Sequence, residues 1–256
     1  MLLVVDVGNT QTHFGAYDGE RLVEHWRFAT VRESTADELG AALRNLLGLR
    51  ALGFEDIEAS IVSSTVPALR PEWQAMAAQY LGHDMPVVGP GLWTGMPIRI
   101  DNPRELGADR LVNAVAAYEE LGGPCVSVDL GTALTFDIVS QDGAYLGGII
   151  APGVEISMEA LTSRAAAIGK IDLEPPRTLI GKGTTDAIRS GVVYGFAAQV
   201  DGIVGRLREE LGEELATIAT GGLAPAIIPF CETIDEIDEE LTLKGLRLIY
   251  ARNAAR

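Results

Sequence analysis

A short pattern occurs twice in this sequence, and it restricts the fold more than any other feature. Near the start an apolar run leads into Asp6-Val7-Gly8-Asn9-Thr10, and near the middle another leads into Asp129-Leu130-Gly131-Thr132-Ala133. After each copy the chain resumes an extended apolar pattern and reaches an Asp-Gly pair, which is typical of a hairpin turn. About half of the 256-residue chain separates the copies, too far for the repeats of a solenoid. We therefore predict a duplicated domain.

Helical periodicity fills the segments that follow these strands. Thr35 and Glu38 form a capping-box pattern, and residues 105–121, residues 184–211 and a segment from about Glu240 carry apolar residues at helical spacing. The order of elements predicts an α/β protein with mixed sheets flanked by helices, divided into domains 1–115 and 116–256. The segment 184–211 also contains four glycines that are unfavourable inside a helix, so we expect it to approach another helix or a partner subunit closely.

The charge of the chain excludes two classes of partner. The sequence has 20 basic and 36 acidic residues, which gives a formal net charge of −16. Such a charge repels nucleic acids and anionic membranes, so we predict neither as a partner. It also repels ATP, and any nucleotide site must therefore act locally through backbone amides and a bound cation.

The rare residue types predict a cytoplasmic protein without a structural zinc site. The apolar start ends at Asp6 after five residues and lacks a basic region before it, so we predict no secretory or membrane-spanning segment. Cys125 and Cys231 are the only cysteines and lack metal-ligand spacing, which favours a reducing compartment. The three histidines are scattered along the sequence and also lack ligand spacing.

The first copy of the repeated pattern carries groups suited to phosphate. Gly8 would permit a turn with positive φ whose amides point at a phosphate, Asn9 and Thr10 add donors, and Asp6 could hold a hydrated Mg²⁺. The alternative is an ordinary β-turn with a capping aspartate. The second copy at Asp129 favours phosphate, because two such turns in a duplicated domain would face each other across a cleft. The sequence contains no lysine-bearing P-loop.

Two further motifs have a functional and a structural interpretation. Thr220-Gly221-Gly222 follows a predicted strand, where paired glycines would let an adenine ring lie against the backbone; a strand-to-helix turn can also need glycine for its own geometry. Gly107-Ala108-Asp109-Arg110 opens a predicted helix. Asp109 could accept a hydroxyl proton while Arg110 binds an anionic substrate, or Asp109 could simply complement the helix dipole.

Taken in order, the four motifs resemble those of the acetate and sugar kinase/Hsp70/actin superfamily. More narrowly, the chain resembles type III pantothenate kinases, which make 4′-phosphopantothenate at the first step of coenzyme A synthesis. The resemblance covers essentially the whole chain, and its family-specific part is Gly107–Arg110 with Asn102-Pro103 before it and Leu111-Val112-Asn113-Ala114 after it. It implies duplicated RNase H-like domains of the actin/hexokinase type.

The resemblance also implies roles for individual residues. Asp109 would be the general base, Asp6 would bind Mg²⁺ through water, and Asp129 would bind a monovalent cation, K⁺ or NH₄⁺. The contacts to ATP and its phosphates would come from Asp6, Val7, Gly8, Asn9, Thr10, Gln11, Thr12, His13, Gly131, Thr132, Gly221 and Gly222. The contacts to pantothenate would come from Ile100, Gly107, Ala108, Asp109, Arg110 and Thr184. Ile100 departs from the family, which often has tyrosine there, and removes a hydroxyl donor from the pocket.

The family is dimeric, with substrate bound near the subunit interface, so the resemblance implies a cytoplasmic homodimer that uses ATP and pantothenate. Two alternatives stay open. One is a kinase of the same superfamily for another small alcohol or carboxylate; the other is a non-catalytic regulatory relative. A regulator would be expected to lose Asp6, Asp109 or Asp129, and all three are present.

Overall fold

The computed structural model describes residues 1–164, 171–212 and 214–255, and the contacts among them define two units. Unit 1 comprises Met1–Met96, Asp101–Ala116 and the segment from Thr242 onward; unit 2 comprises Pro97–Ile100 and Ala117–Leu241. The last segment thus packs with the N-terminal part of the chain, whereas the sequence analysis grouped it with residues 116–256.

Each unit is built on one mixed β-sheet. The strands are β1 Leu2–Val7, β2 Gln11–Asp18, β3 Arg21–Ala29, β4 Ala59–Ser64, β5 Cys125–Leu130, β6 Ala133–Val139, β7 Tyr145–Pro152, β8 Ala216–Thr220 and β9 Glu236–Ile237. The α-helices are α1 Ala36–Gly48, α2 Leu69–Met76, α3 Ala108–Leu121, α4 Val154–Arg164, α5 Thr184–Leu211, α6 Ala224–Ile227 and α7 Leu241–Ala254. A turn of π-helix continues α2, and none of the helices in the described residues is long and apolar enough to cross a bilayer.

The two sheets share one topology. The first has the strand order β3-β2-β1-β4 and the second the order β7-β6-β5-β8-β9. In each, the leading strand pairs antiparallel with the next strand and parallel with a later one, β4 for β1 and β8 for β5. The predicted duplication and the α/β class are confirmed.

Apolar alternation along β1 places helices on both faces of the first sheet. Leu3, Val5 and Val7 point to one face and join a buried cluster with residues of α1 and α2. The opposite face carries Gly15 of β2, where an added Cβ would lie 3.0 Å from Leu243 of α7. In the second sheet, residues of β5 and β6 form a core with α4, α5 and α6.

Most local predictions are confirmed, with one shift. The capping box at Thr35 and Glu38 is present, and α5 spans the predicted residues 184–211. The helix predicted from residue 105 begins instead at Ala108. Asn102 caps a short 3₁₀ turn over Pro103–Glu105, and the extended backbone of Leu106 separates that turn from α3.

The glycines of α5 lie against nothing in the part of the chain described. An added Cβ would have no atom within 4 Å at Gly191, Gly195 or Gly205, and at Gly202 it would meet only Arg206 of the same helix. The predicted close approach therefore does not involve another helix among these residues. Approach to a partner subunit stays a prediction.

Candidate active site

The first copy of the repeated pattern, Asp6-Val7-Gly8, leads into the turn between β1 and β2 in unit 1, which we call the first DxG turn. This turn exposes its side chains. The Gly8 amide donates to the Gln11 carbonyl at 3.0 Å, and Asn9, Thr10 and Gln11 are exposed. Arg32 donates from Nη2 to Asn9 Oδ1 at 3.2 Å. This arginine was missed by the sequence analysis, because only the fold brings it to the turn. It places a positive charge beside a segment predicted to bind phosphate.

The reason for glycine at position 8 differs from the one predicted. Gly8 is not among the described residues with positive φ, so the turn does not require a left-handed backbone there. An added Cβ would instead lie 2.9 Å from the carbonyl oxygen of Gln11. Glycine is needed because the turn closes tightly on itself.

Asp6 and His13 occupy one face of the first sheet. They are directly opposite in the β1–β2 register, so their side chains point to the same side. Asp6 also pairs with Ser63 of β4, which is fully buried. A half-buried carboxylate at the end of a strand, beside an exposed turn, offers the oxygen donors that a hydrated Mg²⁺ prefers.

Asp109 lies in the first turn of α3, also in unit 1. Its Oδ1 accepts from the Arg110 amide at 2.9 Å. Burial raises the pKa of the Asp109 carboxyl above its ordinary value, and the Arg110 amide and guanidinium only partly oppose this. At Gly107 an added Cβ would lie 2.5 Å from Asp109 Oδ1, so glycine makes room for the carboxylate. A half-buried, more basic carboxylate is suited to accept a proton.

The helix that carries Asp109 is anchored from α7. An added Cβ at Gly245 would lie 2.3 Å from the carbonyl oxygen of Val112, which shows that the two helices are in backbone contact. Nearby, Thr242 donates from Oγ1 to Oδ1 of the buried Asn113 at 2.7 Å. Val112 and Asn113 belong to the segment Asn102–Ala114 on which the family resemblance rests, so part of that segment packs α3 against α7.

The second DxG turn, between β5 and β6 in unit 2, is packed by glycines. Gly221 has φ +96, and an added Cβ there would lie 2.5 Å from Asp129 Oδ1 and 2.6 Å from the Leu130 carbonyl carbon. The structure thus brings together Asp129, Gly131, Thr132 and Gly221. Gly221 serves this packing whether or not a ligand is present, which is the structural alternative left open by the sequence.

Gly153 is a second residue that sequence reasoning missed. It follows β7, and an added Cβ would lie 2.3 Å from the Thr132 carbonyl oxygen and 2.5 Å from that of Gly131. Gly153 therefore fixes the backbone of the second turn. The available signal was Pro152-Gly153 just before an acidic helix start, which is common in turns and gave no reason to link it to residue 132.

A cleft of about 670 Å³ opens in unit 2 next to the Thr220–Gly222 turn. Leu223 forms part of its wall, one side of α4 forms another, and Ile171–Leu173 complete the described lining. Its apolar groups include Val154 and Met158, and its rim carries Glu155 and Glu159. The volume suits a small organic group such as a purine ring.

The remaining predicted substrate residues lie elsewhere in unit 2. Thr184 is exposed at the start of α5, directly after the N-cap residue Gly183. Ile100 is half-buried, and its Cγ2 would lie 3.8 Å from a Cβ at Gly147 of β7. The preceding residues are tied to β7 as well, since Arg99 donates to the Tyr145 carbonyl at 2.8 Å. Neither residue contacts the Asp129 turn in the hydrogen bonds described.

Comparison with known proteins gives a consistent family match. Residues 2–206 match the family model described as type III pantothenate kinase. The chain is 51% identical to a type III pantothenate kinase of Streptomyces griseus over 100% of both chains. It is 52% identical to one of Acidothermus cellulolyticus over 99% of both, and 49% identical to one of Moorella thermoacetica over 99% of this chain and 100% of the relative.

Solved structures support the fold. The ROK hexokinase of Thermus thermophilus matches with a TM-score of 0.52 and 15% identity over 98% of this chain and 99% of its own. Component A of the (R)-2-hydroxyglutaryl-CoA dehydratase of Acidaminococcus fermentans matches with a TM-score of 0.59 and 14% identity over 100% and 99%. The two mixed sheets are therefore of the actin/hexokinase type, as the resemblance implied.

Proposed function

The chain belongs to the type III pantothenate kinase family, and from this premise we propose that it transfers the γ-phosphoryl group of ATP to the primary alcohol of pantothenate, with Asp109 as general base. This is the first step of coenzyme A synthesis. The observation that carries the proposal is the half-buried carboxyl of Asp109, whose pKa is raised, placed beside Arg110 in the family-specific segment.

Asp109 would act on the attacking hydroxyl. As the alcohol oxygen bonds to the γ-phosphorus, its proton passes to the carboxylate, the bond from the γ-phosphorus to the bridging oxygen breaks, and ADP leaves with that oxygen. A raised pKa brings the carboxylate closer to the operating pH, where a general base works best. Such help is typically worth ~10²–10⁴-fold in rate.

Arg110 would bind the carboxylate of pantothenate. A guanidinium presents parallel N–H donors that match a carboxylate bidentately, and it keeps its charge at any physiological pH. Gly107 and Ala108 lead into the same helix turn and would line this part of the pocket. Ile100 and Thr184 would add an apolar contact and a hydroxyl contact.

The ATP phosphates would contact the two DxG turns, residues 6–13 and Gly131–Thr132. Mg²⁺ bound with ATP supplies positive charge that offsets the developing charge on the phosphates. Asp6 would hold it through water, and Asp129 would hold a monovalent cation, K⁺ or NH₄⁺. These cations matter in a protein of net charge −16, because the protein's overall field opposes ATP binding.

The adenosine part of ATP would lie at Gly221, Gly222 and the cleft beside Leu223. Gly222 is exposed, which leaves its backbone accessible to a flat ring. The apolar wall of the cleft would contact the purine, and the acidic rim could accept a hydrogen bond from its amino group.

We further propose that the enzyme is a cytoplasmic homodimer that uses α5 as part of its interface. The open Cβ positions at Gly191, Gly195 and Gly205 support this, because glycine is costly in a helix unless something approaches its backbone. Sedimentation of the purified protein would measure the oligomeric state directly.

The test of the function is ADP release by the purified protein with Mg-ATP, with and without pantothenate, in matched K⁺ and Na⁺ buffers. We expect turnover that requires pantothenate and falls when Na⁺ replaces K⁺. Equal turnover in K⁺ and Na⁺ would contradict the proposed cation site at Asp129 but still support the proposed reaction. Folded protein that releases no ADP with pantothenate would overturn the proposal. A panel of small alcohols and carboxylates would then separate another kinase from a non-catalytic regulator.

A further inference from the structure

Two of the three histidines are neighbours in the fold although they are separated in the sequence. Nε2 of His13 lies 3.1 Å from Nδ1 of His25; His13 is half-buried and His25 is exposed. The sequence analysis predicted no structural zinc site because the histidines lack ligand spacing. Ligand spacing describes only the order of the histidines along the chain, and the pairing of β2 with β3 brings the two side chains together.

The strand register explains why the two rings meet. His25 of β3 is directly opposite Gly15 of β2, and His13 lies two residues before Gly15, so both histidines point to the same face of the sheet. Diagonal neighbours of this kind have Cα atoms about 7–8 Å apart, within reach of two long side chains. The positions are set by paired strands rather than by a loop.

The distance between the two nitrogens fits a shared metal ion. Imidazole nitrogens bind zinc at about 2.0–2.1 Å, so two of them at angles between 90° and the tetrahedral value are roughly 2.9–3.4 Å apart. The observed separation of 3.1 Å falls within that range. The ring centroids are 5.4 Å apart at an interplanar angle of 65°, so the nitrogens now face each other as in a hydrogen bond. A modest rotation of each ring would turn both lone pairs toward one point.

The surroundings supply charge of both signs. Asp6 is directly opposite His13 on β1, and Arg27 is directly opposite His13 on β3, so one acidic and one basic residue share this face of the sheet. The net charge of −16 attracts cations to the protein as a whole. Because a favourable net charge attracts every cation alike, the type of donor atom decides which cation binds.

We propose that His13 and His25 form a two-histidine site for a divalent transition-metal cation such as Ni²⁺ or Zn²⁺, with water completing its coordination. Imidazole suits these metals, whereas Mg²⁺ and K⁺ prefer oxygen ligands. The site is thus chemically distinct from those proposed for the cations that accompany ATP. Binding requires the proton on either facing nitrogen to move to the other nitrogen of the same ring, which leaves both rings neutral.

The test is calorimetric titration of the full chain with Ni²⁺, after treatment with chelator and in excess Mg²⁺. We expect one Ni²⁺ equivalent, and binding at least about 10-fold weaker in His25→Gln and in His13→Gln, the range typical when metal-site groups are lost. The matched control is His83→Gln, since His83 instead hydrogen-bonds Ser60 Oγ at 2.9 Å. Thermal unfolding in chelator checks that all variants fold.

Unchanged Ni²⁺ affinity in His83→Gln together with weakened affinity in the other two variants supports the site. Three results would overturn it: no Ni²⁺ binding by the original chain, retained binding in folded His25→Gln, or equal loss in His83→Gln. Because the readout is metal binding, it does not depend on whether the chain phosphorylates pantothenate.

Discussion

The two DxG turns share one sequence pattern but are held in place by different contacts. The first has three residues between its strands, Gly8–Thr10, and its contacts outside the β1–β2 hairpin include hydrogen bonds with Thr30 and Arg32 near the end of β3. The second has two residues between its strands, Gly131–Thr132. The backbone of Gly153 lies against these two residues, and that of Gly221 lies against the adjoining Asp129 and Leu130.

The first turn exposes side chains that could contact a ligand, whereas the second turn is held in place by backbone packing. The first turn exposes Asn9, Thr10 and Gln11 and belongs to the unit that carries Asp109. The second is built into close backbone packing that a single methyl group would disturb. Substitutions of the exposed side chains of the first turn should therefore change activity more than stability, and substitutions of the glycines packed against the second turn, Gly153 and Gly221, should do the reverse.

The largest expected effect is on activity, in Asp109→Asn. The asparagine keeps the shape but cannot accept the proton, so we expect kcat to fall by ~10²–10⁴-fold while the affinity for ATP changes little. Steady-state kinetics and nucleotide titration measure the two quantities. A loss of ATP affinity as large as the loss of kcat would show that Asp109 acts on nucleotide binding instead.

The same variant should be more stable at neutral pH. The folded state raises the pKa of Asp109 from its ordinary value of 3.8, so folding binds a proton and stability falls as pH rises through the window between the two values. Asparagine removes this penalty. We expect a higher unfolding temperature than the original chain at pH 7, and a smaller difference as the pH falls below about 4. Circular dichroism melts at several pH values test this.

The next largest effect is expected in Gly221→Ala, which acts on the second turn. Overpacking costs about 1–3 kcal/mol, and forcing alanine to positive φ costs about 1–3 kcal/mol more. We expect a marked drop in the denaturation midpoint in urea. Gly48→Ala is the control, because it meets nothing within 4 Å among the described residues and should be neutral or stabilising. Equal stability of the two variants would contradict the packing argument.

A smaller loss is expected in Gly153→Ala. Its φ is not positive, so only the contacts with the carbonyls of Gly131 and Thr132 oppose the methyl group, at about 1–3 kcal/mol. Urea denaturation again measures the change. If the turn shifts to make room for the methyl group, stability will be retained and the KM for ATP will rise. That result would show that backbone packing does not hold the second turn rigidly.

The smallest expected effect is a difference in stability between alanine variants of the two equivalent glycines, Gly8 and Gly131. In the sequence pattern they are interchangeable, but an added Cβ meets the Gln11 carbonyl at 2.9 Å in the first case and Asp129 Oδ1 at 3.3 Å in the second. We expect Gly8→Ala to cost about 1 kcal/mol and Gly131→Ala to cost less. Thermal melts of the two variants decide this, and a reversed order would show that Asp129 cannot move aside.

The sequence was sufficient for the features that repeat or have a local cause. The duplicated turns, the capping box at Thr35 and the span of α5 all follow from residue spacing, and the structure has them where they were predicted. The family match followed from the four motifs in order. These features depend on neighbours in sequence or on a pattern long enough to be specific.

The rest depends on residues that meet only after folding. Arg32 reaches Asn9, Gly153 reaches Thr132 and His13 reaches His25 through strand pairing and turn packing. Each is an ordinary residue in its local context. The role of Gly8 was misjudged for the same reason, since sequence shows that glycine is required but not whether φ or a close contact requires it.

The division of unit 1 into three segments affects how the protein is made. Unit 2 consists of Pro97–Ile100 and Ala117–Leu241, whereas unit 1 also needs the segment from Thr242 onward, which is made after all of unit 2. The backbone contact between Gly245 and Val112 can form only after α7 emerges. The helix that bears the proposed catalytic base is therefore expected to be fully supported only after α7 has been made.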